Sequence, residues 1–404
     1  MSRILIISSG SPCRNPRPLK EAATLGRAGH EVTLLTVSES PALDAMDQAL
    51  VAGQRFRHES VGRQPGALGH FLRRVRQRLA VQATIAGFPT LHALGQIGPL
   101  RRRAFALPAD LTIVHNEIPF WIGCDLIQAG RKVAADFEDW HSEDLRPADR
   151  RGRPLAPLRS LERQLLLHAA YTSTTSAALS DALVRRYACP APLVLTNSFP
   201  LQSDPRTGPA GATPAFFWFS QTIGPGRGLE EFCAAWIRTT HPSRVVLLGQ
   251  VSEGFDRRLL SQLPGAFRAR LEFLPLVPPA GLPGVIARHD IGLALEQSFI
   301  ASRDLTITNK ILQYLNAGLA IVASDTAGQR EVLARAPGAG ILADLGQPAA
   351  LGLQLDQLLA DRRRMAEMGA AARHAAETIY CWEIEAPRLL ERVEASLAQP
   401  GPTT

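Results

Sequence analysis

Lysine is almost missing from this chain. Only three of its 44 cationic side chains are lysines, Lys20, Lys132 and Lys310, and arginine fills every other basic position. Cysteine is scarce as well: Cys13, Cys124, Cys189, Cys233 and Cys381 are scattered, odd in number and form no CxxC. That pattern excludes a zinc knuckle or a disulfide frame and fits reduced packing residues in a cytoplasmic protein. Long apolar runs are also lacking. The longest uncharged stretch, Ala80 to Leu100, is broken by Gln82, Thr84, Gly87, Pro89, His92, Gly95, Gln96, Gly98 and Pro99, too polar to span a bilayer as a helix. The opening MSRILIISSG has neither a basic n-region nor a small-residue cleavage site, so no signal peptide is expected. Two nucleotide signatures are absent. The first strand runs into SSGSPCRNP, not GxGxxG, and no GxxxxGK[ST] occurs, which removes a dinucleotide fingerprint and a P-loop.

What is present points to a folded protein of two or three domains, with 404 residues and 46% hydrophobic content. The net charge of +7 is concentrated. Between Ser60 and Ala109 stand eight arginines (Arg63, Arg73, Arg74, Arg76, Arg78, Arg101, Arg102 and Arg103) and no acid. Within it, FLRRVRQRL sets Phe71, Leu72, Val75 and Leu79 at helical spacing among arginines. Two readings stay open: a solvated helix face, or an amphipathic helix docked peripherally on the anionic inner face of the cytoplasmic membrane. No nucleic-acid module or interleaved aromatic pattern accompanies the charge, so nucleic acid is not expected as a partner.

Short apolar runs alternate with longer helical patterns along the whole chain, the grammar of α/β units on parallel sheets. In the first half the expected strands are RILIIS, EVTLLTV, LTIVHN, KVAADF, YTSTTS and LVLTNS, with RPLKEAATLGRAG as the first crossover helix, stopped at Gly29. Residues 200–214, PLQSDPRTGPAGATP, have no periodicity and read as a linker. The pattern then restarts with AFFWFS, RVVLLG, LEFLPL, DIGLALE, AIVAS and GILA. The expected organisation is two doubly wound parallel sheets facing a cleft: domains at 1–199 and 215–375, with a final helical segment at 376–404. In such sheets ligands sit beyond the carboxyl ends of the strands, so the loops there are where chemistry is sought.

Lys310 lies in one of those places. Thr308 and Asn309 precede the apolar spacing of Ile311, Leu312 and Leu315, so a helix starts there with Thr308 as its N-cap. A first helical turn offers unpaired N–H groups and partial positive charge, which favours acids over a lysine unless an anion is docked. An exposed surface lysine is the plain alternative. In SQTIGPGRGLEEF a strand is followed by Gly-Pro-Gly and Arg227 at the next helix start, a flexible loop and a guanidinium suited to a phosphate. Alone this is an ordinary turn; with Lys310 it suggests a bound diphosphate.

The landmarks GHEVTLL, LVLTNSFP, GRGLEEF, NKILQYLNAGLAIVASDTAGQREVL and YCWEIEAPRLLERV resemble, in order and spacing, those of the GT-B glycosyltransferases of family 4. The resemblance spans essentially the whole chain. It implies a retaining hexosyltransferase that moves a sugar from a nucleotide-diphosphate sugar to a glycan or lipid-linked acceptor in polysaccharide biosynthesis, with no metal and no cofactor. It further implies a final helix that returns to the first domain. His115 would contact the donor sugar, and Arg227 and Lys310 would hold the diphosphate. Gly10, Ser11, Gln221, Thr308, Asn309 and Gln313 would complete the donor site. Read from its own residues, the polar stretch DFEDWHSED is a metal site, a base, an acceptor-binding wall or a plain solvated loop; as an acceptor wall its candidates are Asp136, Glu138 and His141. In this family the departing diphosphate is thought to help take the acceptor's proton, so catalysis is electrostatic.

Two departures stand out. Where the family usually carries a pair of glutamates eight positions apart, this chain has Leu305 and Gln313. Glu296 and Asp304 have that separation nine residues too early, and their match is read as coincidence. The departures keep alive an alternative, a non-catalytic nucleotide-sugar-binding subunit with a decayed donor site; a sugar-nucleotide epimerase fits the landmark order less well.

Overall fold

The computed structural model describes residues 1–62, 67–205 and 211–399. Arg63 and residues 206–210 of the expected linker lie outside the described residues, as does the side chain of Arg73. The chain divides into two units, one of residues 1–195 with 386–404 and the other of residues 196–385.

Among the described residues, the first unit carries one parallel sheet of strands β1 (Arg3–Ser8), β2 (Glu31–Val37), β3 (Arg57–Val61), β4 (Leu111–His115), β5 (Val133–Phe137), β6 (Tyr171–Thr174) and β7 (Leu193–Val194). Their order is β3-β2-β1-β4-β5-β6-β7, so the winding reverses between β1 and β4. Both of those strands are apolar on both faces and buried, as a parallel sheet covered by helices requires. The strand β3 was not anticipated. Its sequence, RHESV, is polar because it forms an edge, held by the ladder to β2 and not by burial.

The second unit repeats the topology with β8 (Ala215–Ile223), β9 (Arg244–Val251), β10 (Leu271–Leu274), β11 (Ile291–Ala294), β12 (Ala320–Ser324) and β13 (Gly340–Ala343). The order β10-β9-β8-β11-β12-β13 places its reversal between β8 and β11. Each unit thus has the doubly wound arrangement expected from the sequence.

The boundary differs from the expected linker. Residues 196–202 are fastened to the second unit. Asn197 Nδ2 donates to Asn309 Oδ1 at 2.9 Å, Phe199 bridges to Cys381, and Arg373 donates to the carbonyl of Gln202 at 2.9 Å. Backbone that lacks periodicity in sequence is here satisfied by side chains remote along the chain. At the other end, the helix Trp382–Ala398 counts with the first unit from Ala386 onward. There Lys132 Nζ donates to the carbonyls of Ser396 at 2.7 Å and Gln399 at 2.6 Å. A lysine meeting the orphan carbonyls of a helix C-terminus satisfies groups that no intrahelical donor reaches.

The contact that positions the second unit's chemistry is steric. Tyr314, fully buried on the helix Asn309–Ala317, lies across Gly292 of β11. Its hydroxyl donates towards the carbonyls of Phe217 at 3.2 Å and Leu293 at 3.3 Å, tying the helix to both strands at the reversal. A Cβ on residue 292 would stand 2.3 Å from the Tyr314 ring. Gly292→Ala should therefore cost about 1–3 kcal/mol, as overpacking of a dense core does. Gly284→Ala, where no atom lies within 4 Å, should change little. Urea denaturation of both variants measures this, and equal stability would show that the helix can slide without cost.

Candidate functional site

In the first unit, the carboxyl ends of β1 and β4 meet at Ser8 and His115, which are register partners. Immediately beyond, Asn116 adopts φ 60°, ψ 176°, a conformation side chains rarely take. Its Oδ1 accepts from Ser9 N at 3.0 Å and Ser9 Oγ at 2.8 Å, which holds the loop after β1 against the start of the helix Glu117–Gln128. In that loop the Ser11 N–H donates to Glu39 at 2.9 Å, while the buried Ser11 Oγ has no partner. Gly10 has open space around it, with only Glu39 Oε1 near, at 3.9 Å from where a Cβ would stand.

Behind this edge lies a buried ion network. Arg17, on the helix Pro16–Arg27, is fully buried and grips Asp136 with Nε at 2.6 Å and Nη2 at 2.7 Å, while its Nη1 donates to Leu195 O at 2.8 Å. Ser173 Oγ donates to the same carboxylate at 2.6 Å. His115 is 1% exposed, with Nε2 3.0 Å from Glu21 and Nδ1 3.2 Å from Asp136. Burial alone would keep the imidazole neutral. The Glu21 charge, the hydrogen bond to Glu21 and the nearby Asp136 carboxylate outweigh it and raise its pKa to about 10. For Asp136 burial disfavours the carboxylate, and the charge of Arg17 together with His115 reverses that, pulling its pKa well below the usual range.

The network is balanced, two cations against two carboxylates. Glu21, His115 and Asp136 bring one ligand atom each within 4.8 Å of one another, the outline of a metal triad. Arg17 and a protonated His115 already supply the positive charge a cation would bring, so these residues do not fit a metal. His115, expected to touch the donor sugar, faces two carboxylates and is closed to solvent. Asp136, expected on the acceptor side, is committed to Arg17.

The remaining acceptor-side candidates are placed differently from a solvated loop. His141 is 8% exposed, and burial lowers its pKa. Arg153 pairs with Glu117 and donates to the His141 carbonyl at 3.0 Å, and Glu143 takes Arg150 at 2.9 Å and Arg159 at 2.6 Å. Glu138 is half-buried, and burial pushes its carboxyl up. Of the acids of DFEDWHSED, Glu143 thus finds arginines seven and sixteen residues on and Asp136 one far upstream, pairings invisible in the motif itself.

In the second unit, the loop after β8 passes through Gly226 and Gly228, with φ 71° and 75°, into the helix Leu229–Trp236. A side chain at 228 would press on Leu295 Cβ at 3.0 Å, so the loop runs close over the end of β11. Arg227, half-buried between these glycines, has no hydrogen-bond or ion-pair partner among the described residues. Gln221, past a register shift in β8, is exposed.

Lys310 is not a surface lysine. Its side chain is 12% exposed, its Nζ lies 2.8 Å from Glu296 Oε1, and it stands 5.6 Å from the centroid of the buried Trp218 ring. Several buried polar atoms here have no partner: Thr308 Oγ1, Gln313 Oε1, Gln329 Oε1 and Trp218 Nε1. Thr308 takes the N-cap backbone geometry, yet its side chain makes no cap bond. Asn309 accepts from Asn197. Asp304 and Glu296 do not work as a pair. Asp304 accepts from Ala327 N at 3.2 Å, while Glu296 goes to Lys310.

Gln329 and Asn116 were missed in sequence, and Glu296 was noted only for its coincidental spacing from Asp304. For Glu296 the signal was available: it is the only acid between Asp290 and Asp304 and directly follows the apolar run IGLAL.

Residues 16–197 match the family described as glycosyl transferase 4-like domain. No curated protein matches the chain by sequence. Among solved structures, sucrose-phosphate synthase from Thermosynechococcus elongatus is similar over 98% of this chain and 100% of its own, with TM-score 0.70 and 17% identity. HepE of Anabaena, in complex with UDP-glucose, is similar over the same shares with TM-score 0.72 and 16% identity. WaaG, a glycosyltransferase involved in lipopolysaccharide biosynthesis, is similar over 96% of this chain and 98% of its own, with TM-score 0.63 and 13% identity.

The ion network makes a pH-dependent prediction. A histidine whose pKa is raised from about 6.5 to about 10 on folding adds stability that is complete below pH 6.5 and is lost as pH rises through 10. His115→Gln should cost about 3–5 kcal/mol, the effect of unpairing buried charges, and flatten that decline. Urea unfolding at pH 6, 8 and 10 tests it; identical slopes for both proteins would mean the ring is neutral.

Proposed function

For this chain, which has the GT-B fold and carries a glycosyl transferase 4-like domain, we propose the activity of a glycosyltransferase with a nucleotide-diphosphate sugar as donor. The observation that carries this reading is the pair of half-buried cations at the reversal of the second sheet. Arg227 has no counter-ion among the described residues, and Lys310 sits in the first turn of a helix that also carries buried polar atoms without partners. A diphosphate supplies anionic oxygens for both, and a helix start favours it further. HepE is a structural neighbour in complex with UDP, which supports UDP as the first nucleotide to try. Gln313 offers a buried, unpartnered amide oxygen where the family resemblance expects a ribose-binding carboxylate. A decayed site would have lost such groups or filled them with apolar side chains.

Transfer then needs little from the protein beyond charge. The cations hold the departing diphosphate, whose oxygen takes the acceptor's proton, and the sugar is transferred with retention. Fixed positive groups in a water-poor setting stabilise that developing charge at low reorganisation cost. His115 and Asp136 act in this reading by shaping the edge of β1 and β4, not by touching the sugar. No metal or cofactor enters the scheme.

The acceptor is read as a glycan or lipid-linked sugar at an anionic membrane surface. No helix among the described residues is long and apolar enough to cross a membrane. The helix Ala67–Ile85 leaves Phe71 63%, Leu72 48% and Leu79 63% exposed, and Phe88 just beyond it is 74% exposed. Arg74, Arg76 and Arg78 flank them without partners among the described residues. Exposed apolar groups rimmed by free arginines complement an anionic headgroup layer. The basic segment is smaller than its sequence suggests, because Arg101 pairs with Asp125 and Arg103 with Glu59.

Arg227→Ala and Lys310→Ala should each weaken UDP binding by about 1.5–3 kcal/mol, the range for a charge-assisted hydrogen bond, as measured by calorimetry. Arg227 leaves no partner behind, so its effect is free of folding. Unaltered affinity in both variants removes the donor-site reading.

For the surface, each arginine near an anionic layer contributes about 1 kcal/mol. The protein should sediment with anionic and not neutral liposomes at low salt, and be released as the Debye length falls from about 10 Å at 0.1 M to about 3 Å at 1 M. Replacing Arg74, Arg76 and Arg78 by Gln should release it with UDP binding intact. Equal recovery with both liposome types would move the acceptor into solution.

A further inference from the structure

Lys310 and Glu296 form a nearly closed ion pair at the end of β11, with side chains 12% and 7% exposed. The carboxylate is held in place from behind. Glu296 N donates to Ser324 Oγ at 2.7 Å, and the same hydroxyl accepts from Gln329 Nε2 at 2.8 Å. That arrangement fixes the backbone of Glu296 and leaves the Gln329 Oε1 unpartnered in a fully buried side chain. Glu296 itself comes from a strand end, while Lys310 comes from the first turn of a helix whose position is set by Tyr314. The pair therefore joins the loop just past β11, pinned through Ser324, to the start of that helix.

The buried pair of Arg17 with Asp136 is held more fully: that guanidinium donates to the carboxylate through Nε and Nη2 and to the Leu195 carbonyl through Nη1. The Lys310 pair differs in one respect. An ammonium carries three donors, and the structure gives it one hydrogen bond, to Glu296. Thr308 Oγ1 and Gln313 Oε1, two residues before and three after Lys310, and Nε1 of Trp218, whose ring centroid lies 5.6 Å from the Lys310 Nζ, are also unpartnered.

The geometry points to Glu296 as an exchangeable counter-ion: it holds Lys310 charged and oriented in the empty site and yields it to the incoming diphosphate. This rests on the donor-site reading above and adds a regulator of affinity to it. Without Glu296 a buried ammonium would stand unpaired between turnovers, a costly state. With it, diphosphate binding becomes the replacement of one anion by another, and the carboxylate competes with every phosphate that enters. Glu296 is thus a positioning residue that weakens nucleotide affinity and speeds release of the diphosphate product, a consequence opposite to that of an ordinary binding residue.

The test uses the full chain and UDP as the probe, with Glu296→Gln and Glu296→Asp. Glutamine keeps the shape and a hydrogen-bond acceptor for Lys310 but removes the competing charge. Aspartate keeps the charge and withdraws it by one methylene. The expected UDP affinity rises in the order wild type, Glu296→Asp, Glu296→Gln, with at least a fivefold gain for glutamine and a slower rate of UDP release. Uridine, which has no phosphate, should bind all three equally when followed by ligand-observed NMR. Unchanged or weaker UDP binding in both variants would overturn the exchange and make the pair a fixed part of the fold. Should Glu296→Gln fail to fold, the aspartate variant decides alone. The underlying reading fails separately: Arg227→Ala and Lys310→Ala without effect on UDP remove the donor site, whereas weaker binding in those variants with no gain at Glu296 removes only the exchange.

Discussion

A charge taken out of water must be met by an opposite charge, and in this protein that requirement arranges the ends of both sheets. At β1 and β4 it is met fully: Arg17 and His115 answer Asp136 and Glu21, and the network closes on itself. At β8 and β11 it is met in part, with Glu296 answering Lys310 while Arg227 has no partner among the described residues. The two edges therefore differ in how far their charges are paired. A half-buried cation with no partner gains a great deal from an anion, because the alternative is a desolvated charge.

The two units share one winding order and yet use their reversals differently. In each, the parallel sheet aligns strand ends and helix starts at one edge, so polar groups collect there. In the first unit a helix residue, Arg17, turns into that collection and fills it. In the second, a glycine-lined loop holds a guanidinium above the edge, and Tyr314 locks the helix start beside it. Preorganised cations of this kind can stabilise charge developing on a leaving group without having to move, which suits a reaction in which the protein supplies electrostatics in place of a nucleophile.

Charge pairing also reshapes the basic segment. Eight arginines without an acid look uniform along the chain, but folding brings Glu59 and Asp125 to Arg103 and Arg101. What stays unanswered is the outer face of one helix, where apolar side chains are exposed beside arginines. A surface that keeps both features at once departs from ordinary solvated helices, whose apolar residues turn inward.

The sequence by itself determined the architecture. Alternating apolar runs and amphipathic helices fixed two parallel α/β units, because strand burial and helix periodicity are local properties written every two or four residues. It also located Lys310 and Arg227, since a lysine in a helix's first turn and an arginine between glycines are local anomalies. The short edge strand β3 was hidden because an edge needs little hydrophobicity, and the fastening of residues 196–202 was hidden because its partners lie more than a hundred positions away. Only the tertiary structure decided what each charged side chain faces. His115 stood as a site residue through the family resemblance and Asp136 through its polar stretch, and folding set them against each other as counter-ions. Glu296 read as a coincidence of spacing, and folding set it against Lys310. Ion pairs across elements depend on distances that no linear pattern encodes, so the sequence could place the charges at the edge but not assign their partners.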